Sequence, residues 1–111
     1  MIDLEEKHLQ EVLRILEEQA PDCEARVFGS RATGTAERFS DLDLLLIGRE
    51  KLDWRKIERL KDAFSESNLP MRVDVLDRNA IKGKFRKKVE SEAVPLTSAG
   101  SAPSISKRAH R

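Results

Sequence analysis

Two aspartates one residue apart, Asp41 and Asp43, follow Gly29-Ser30 after a gap of ten residues. An apolar strand-like segment over residues 23–28 leads into the Gly-Ser pair, and a second apolar run, ending at Ile47, begins at the aspartates. On a strand, side chains two apart share a face, so Asp41 and Asp43 project together while Leu42 and Leu44 point the other way. Adjacent carboxylates repel, and each is normally pushed up in pKa. A divalent cation between them removes that cost. Mg²⁺ takes oxygen ligands, usually one or two carboxylates plus substrate phosphates. A Gly-Ser turn offers backbone N–H groups and a hydroxyl, which suit a phosphate. The set fits a metal-bound nucleoside triphosphate.

Each part is weak alone. Gly-Ser is commonly a turn ahead of a helix, and strand-end carboxylates are common on surfaces. The conjunction is specific, and a third carboxylate strengthens it. Asp74 lies inside the strand-like run Met71-Arg72-Val73-Asp74-Val75-Leu76, whose apolar residues make a merely solvated edge position uncomfortable. Asp77 is a rival, but it sits at the exit of that run and faces the other way. Three carboxylates from adjacent strands are what a two-metal site requires.

The elements that must position these groups are legible from periodicity. Leu9, Val12, Leu13 and Leu16 form one stripe of a first helix over residues 3–19, with Asp3 and Glu6 spaced as a capping box. Pro21 ends it. Ser30 is placed to cap a single turn that stops at Gly34. Residues 42–47 form the strongest strand, apolar on consecutive positions and therefore central. Asp53 caps a helix to about residue 67, with Trp54, Ile57, Leu60 and Phe64 as its buried face. Asn79 is placed to cap a last helix to about residue 92, with Ile81, Phe85 and Val89 in line and a basic remainder of Lys82, Lys84, Arg86, Lys87 and Lys88. The expected fold is a small α/β sandwich: a mixed β-sheet of three to four strands flanked by helices. It occupies residues 1–96, followed by a disordered, Ser/Ala/Gly/Pro-rich basic tail over residues 97–111.

Composition narrows the function. The chain has 111 residues, enough for one modest core. Charged residues make up 37%, yet 21 basic and 20 acidic side chains leave a net charge of only +1. That balance makes no case for nucleic acid or an anionic membrane. One cysteine and two histidines exclude an internal disulfide and a zinc cluster. With neither a long apolar run nor a signal-peptide pattern, a soluble cytoplasmic protein is expected.

The words Phe28-Gly29-Ser30-Arg31-Ala32-x-Gly34 and Ser40-Asp41-Leu42-Asp43-Leu44, with Asp74 later, resemble the minimal nucleotidyltransferases of the DNA polymerase beta superfamily. The likeness covers about residues 3–96; Phe39 departs from it, where a small or polar residue is more typical. The resemblance implies that Asp41 and Asp43 hold two Mg²⁺ ions and the triphosphate. It implies that Asp74 binds the metal that activates the attacking hydroxyl and serves as its general base. Ser30 and the Gly29 backbone would hold the terminal phosphates. Arg31 would stabilise phosphate charge; otherwise it is a solvent-exposed arginine at a helix start. The implied reaction transfers a nucleotidyl group, AMP from ATP, to a hydroxyl and releases pyrophosphate.

A chain this short has no room for the acceptor-binding domains of larger members. The resemblance is to the antitoxin half of two-gene modules, whose partner is a HEPN-type ribonuclease toxin that the antitoxin adenylylates on tyrosine. Hetero- or homo-oligomers are compatible with that arrangement. This chain contains no tyrosine, consistent with an acceptor on the partner. The alternative is a non-catalytic, nucleotide-binding subunit that neutralises its partner by covering it. Antibiotic nucleotidylation would need a substrate domain and ranks below both. The basic face of the last helix reads as a solvated surface ahead of a contact for RNA or an acidic partner.

Overall fold

The computed structural model describes residues 2–96; the tail expected over residues 97–111 lies outside the described residues. Elements run in the order α1 (Glu6–Gln19), β1 (Glu24–Phe28), α2 (Ser30–Thr33), β2 (Leu42–Ile47), α3 (Trp54–Ser65), β3 (Val73–Asp77), α4 (Gly83–Glu92) and β4 (Val94–Pro95), with a 3-10 turn, Arg78–Ala80, ahead of α4. The sheet order is β3-β2-β1-β4. β2 pairs parallel with β3 and antiparallel with β1, which pairs antiparallel with β4, so the sheet is mixed, as expected.

The apolar alternation assigns the two faces of the sheet. Leu42, Leu44 and Leu46 of β2, Val73 and Val75 of β3 and Val27 of β1 point to one side. There they meet Leu9, Val12, Ile15 and Leu16 of α1 and Leu60 and Phe64 of α3 in a single core. Leu45 is also fully buried, on the opposite face, which is why β2 reads as continuously apolar. Each of these side chains contributes roughly 1.5–3 kcal/mol through burial.

Several details differ from the sequence expectation. The α1 stripe turns slightly: Ile15 is buried, and Leu13 is only partly so. Asp3 does not cap α1. The N-cap is Glu5 without a side-chain bond, because the Asp3 backbone is drawn to Arg31: its N–H donates to the Arg31 carbonyl at 2.9 Å. Asp53 caps α3 as expected, accepting from Arg55 N, but Trp54 is 67% exposed, with the Arg55 guanidinium 5.1 Å from its ring centre. It is the first residue of α3. α4 begins at Gly83 rather than after Asn79, which belongs to the 3-10 turn and donates its side-chain amide to Gly48 O at 3.1 Å. Phe85 is 53% exposed, leaving Val89 as the residue α4 buries.

Candidate active site

β1 ends at Phe28, opposite Asp43 in the antiparallel register. Gly29 then turns the chain into α2 with φ +77°, a conformation that side chains resist. A Cβ at Gly29 would stand 2.4 Å from Asp43 Oδ2, so only glycine lets the backbone lie against that carboxylate. Gly29 is the N-cap of α2, and Ser30 is its first helical residue rather than its cap.

Asp43 and Asp74 are direct neighbours across the parallel β2–β3 ladder. Both point to the face opposite the core and are partly buried. Burial pushes the Asp43 carboxyl above its usual range, and the like charges of Asp74 and Asp41 add to the push, partly countered by Arg72. Arg72 also pairs with Asp74, Nε and Nη2 each lying 3.2 Å from Oδ1. Asp41 is exposed, one residue ahead of β2, and the chain on both sides of it is pinned. Leu42 N donates to Arg72 O at 2.9 Å, and Ser40 O accepts two bonds from Arg31.

That second anchor corrects the expected role of Arg31. The side chain is 5% exposed, and its guanidinium donates to the carbonyls of Ser40, Asp3 and Arg38 at 2.8–3.2 Å. It is neither a solvated arginine nor one aimed at phosphate; it ties the N-terminal segment to the connector that carries Asp41. Asp77 is likewise engaged in the fold: buried, it accepts from Leu52 N at 2.7 Å and Asn79 N at 2.9 Å. The 3-10 turn therefore takes the rival carboxylate, and Asp74 stands beside Asp43.

Among the described residues, no group of three or more His, Cys, Asp or Glu side chains, the expected trio of Asp41, Asp43 and Asp74 included, converges on a metal position. The donors at this edge are hard carboxylate oxygens beside a glycine amide. That set fits Mg²⁺, which keeps several waters and completes its shell with substrate phosphates.

The sequence reading placed Lys88 on a solvated basic face and Glu92 only at the end of a helix; the structure gives both a further contact. Glu92, at the end of α4, accepts from Gly29 N at 3.3 Å through Oε1, and its Oε2 takes Lys88 Nζ at 2.9 Å. The i,i+4 spacing announced the pair, but nothing local announced its contact with Gly29, 63 residues away.

The family pattern described as "Nucleotidyltransferase domain" matches residues 9–96. The chain belongs to the nucleotidyltransferase family. As such it is similar to the Haemophilus influenzae protein named "Probable protein adenylyltransferase MntA", with 46% identity over 85 residues, 77% of this chain and 75% of the relative. A solved structure of a protein assigned as a minimal nucleotidyltransferase aligns with a TM-score of 0.63 at 35% identity, over 81% of this chain and 90% of that one. A chain from the complex of tri-AMPylated Shewanella oneidensis HEPN toxin with MNT antitoxin shares the fold at a TM-score of 0.56. Identity there is 16%, over 92% of this nucleotidyltransferase and 76% of that chain. No helix among the described residues is long and apolar enough to cross a membrane.

Proposed function

We propose that this nucleotidyltransferase is a Mg²⁺-dependent protein adenylyltransferase. It transfers one or a few AMP groups from ATP to a tyrosine hydroxyl of a HEPN-type toxin and so acts as an antitoxin. The observation that carries the reading is the in-register pair Asp43–Asp74, with the Gly29 backbone against Asp43. The name of the Haemophilus relative supports adenylyl transfer to protein, and the Shewanella complex supports a toxin as acceptor.

In this reading Asp41 and Asp43 would hold the two metal ions and the triphosphate, and Asp74 would also bind metal. Bound Mg²⁺ supplies charge neutralisation at the reacting phosphate and the leaving pyrophosphate. The Gly29 N–H and the Ser30 hydroxyl hold the terminal phosphates. Asp74 exchanges Arg72 for the attacking hydroxyl, orients it in line with the α-phosphate and accepts its proton. The P–O bond to the acceptor forms as the α–β bridging bond breaks, and pyrophosphate leaves.

The test combines the purified protein, α-labelled ATP, Mg²⁺ and the product of the adjacent gene. Label is expected on the partner and is lost in the Asp41→Asn/Asp43→Asn double variant. A stable, silenced complex without label would replace this reading with stoichiometric binding.

A further inference from the structure

The Glu92 carboxylate lies between two donors of different origin. One oxygen takes the Gly29 amide at the end of β1, and the other takes the Lys88 ammonium of α4. Gly29 is also the residue whose backbone rests against Asp43. An anion whose oxygens are shared between a backbone amide and an ammonium is how proteins hold phosphate. Here the anion is the chain's own side chain, so the two donors are already spaced to grip one. Glu92 is also poorly placed beside Mg-nucleotide: its negative charge reaches Asp43 and adds to the repulsion there. The two partners differ in exposure. The Lys88 side chain is 70% exposed, whereas Glu92 is 25% exposed.

We propose that Lys88 is a triphosphate-binding residue of this site and that Glu92 is its built-in placeholder. In the free protein Glu92 occupies the Gly29 amide and neutralises Lys88. An incoming phosphate oxygen takes the amide, Glu92 swings toward solvent, and Lys88 transfers its pairing from carboxylate to phosphate. The inference rests on the proposed nucleotide site and adds two residues to it. It predicts opposite signs for the two members of one ion pair, whereas a pair that only braces α4 against β1 would give the same sign for both.

The experiment is calorimetric titration of the full chain with a non-hydrolysable ATP analogue in Mg²⁺ buffer, on wild type, Glu92→Gln, Glu92→Ala and Lys88→Ala. Thermal unfolding of each variant runs in parallel. Displacing a charged hydrogen-bond partner before binding costs affinity, so both Glu92 variants should bind roughly three- to tenfold more tightly. Lys88→Ala should bind about tenfold more weakly, and its affinity should depend less steeply on salt. Glu92 variants that stay folded and bind no better, or Lys88→Ala that binds as wild type, would overturn the proposal. If wild type itself binds no analogue while remaining folded, the failure belongs to the nucleotide site as a whole. If Glu92→Ala unfolds, the isosteric Glu92→Gln, which keeps an acceptor for Gly29, still decides the sign.

Discussion

Arg31→Lys separates a phosphate-binding arginine from one that holds the fold. The guanidinium makes four hydrogen bonds to three carbonyls, two of them to Ser40 O at 2.9 and 3.1 Å. A planar fork reaches carbonyls of Asp3, Arg38 and Ser40 together; a lysine ammonium keeps the charge but is a compact donor on a flexible stem. On the geometry, two of the three carbonyls lose their partner. An orphaned buried acceptor costs about 1–3 kcal/mol. Asp3 and Arg38 are themselves exposed residues, so water recovers part of that. The expected net loss is about 2–3 kcal/mol, or roughly 10–20 °C in Tm for a domain of this size. Urea unfolding followed by circular dichroism measures it, with the m-value checking that the unfolding unit is unchanged. A stability within about 0.5 kcal/mol of wild type would refute the reasoning. Such a result, with lost nucleotide binding, would return Arg31 to the phosphates.

Three further outcomes follow from the same geometry. Gly29→Ala places a methyl 2.4 Å from Asp43 Oδ2 at φ +77°, so thermal unfolding should show a loss of about 1–3 kcal/mol, and analogue titration should show lost nucleotide affinity. Asp43 has a raised pKa in the folded state, so the folded protein binds more protons than the unfolded chain between the ordinary carboxylate value and the raised one. Stability from this group therefore falls as pH rises through that window. Asp43→Asn should unfold at a higher temperature than wild type at neutral pH, lose most of the gain in acid, and abolish transfer; an equal or lower neutral-pH Tm counts against the burial argument. Trp54→Ala removes a largely exposed ring that stacks on Arg55 and should change stability by less than about 1 kcal/mol, read from denaturant midpoints.

Local rules carried much of this fold. β2 begins and ends where its apolar run does, because every one of its neighbours is provided by the sheet and helices around it. The Asp53 cap formed because its acceptor and donor lie two residues apart. The errors occur where a distant group outbids a local one. Asp3 and Glu6 are spaced as a capping box, yet Arg31, 28 residues away, takes the Asp3 carbonyl at 2.8 Å. Trp54 follows the helical period but is the first residue of α3 and is 67% exposed. β4 is two residues long and contains a proline, so no period exists to read; it is defined by the edge of β1 that it covers.

The site divides along the same line. The positions of Asp43 and Asp74 were readable because strand alternation fixes which face a carboxylate takes, and parallel pairing then sets Asp43 beside Asp74. The spacing of their counter-charges was readable, but where those pairs sit relative to Gly29 and Asp43 was not, because it depends on contacts between distant elements. Arg72 lies two residues before Asp74 and pairs with it, while Lys88 balances Glu92 at the Gly29 amide. These pairs offset part of the negative charge gathered at this edge of the sheet. Arg72 offsets the Asp74 charge, Lys88 offsets Glu92, and the residual strain concentrates on Asp43, whose burial and like-charged neighbours raise its pKa. In the proposed reading, a cation bound beside Asp43 would relieve that strain and free Arg72 and Lys88 to pair with other anions. Affinity for Mg-nucleotide should therefore rise with pH through the raised Asp43 value, because the proton must leave before the metal can bind.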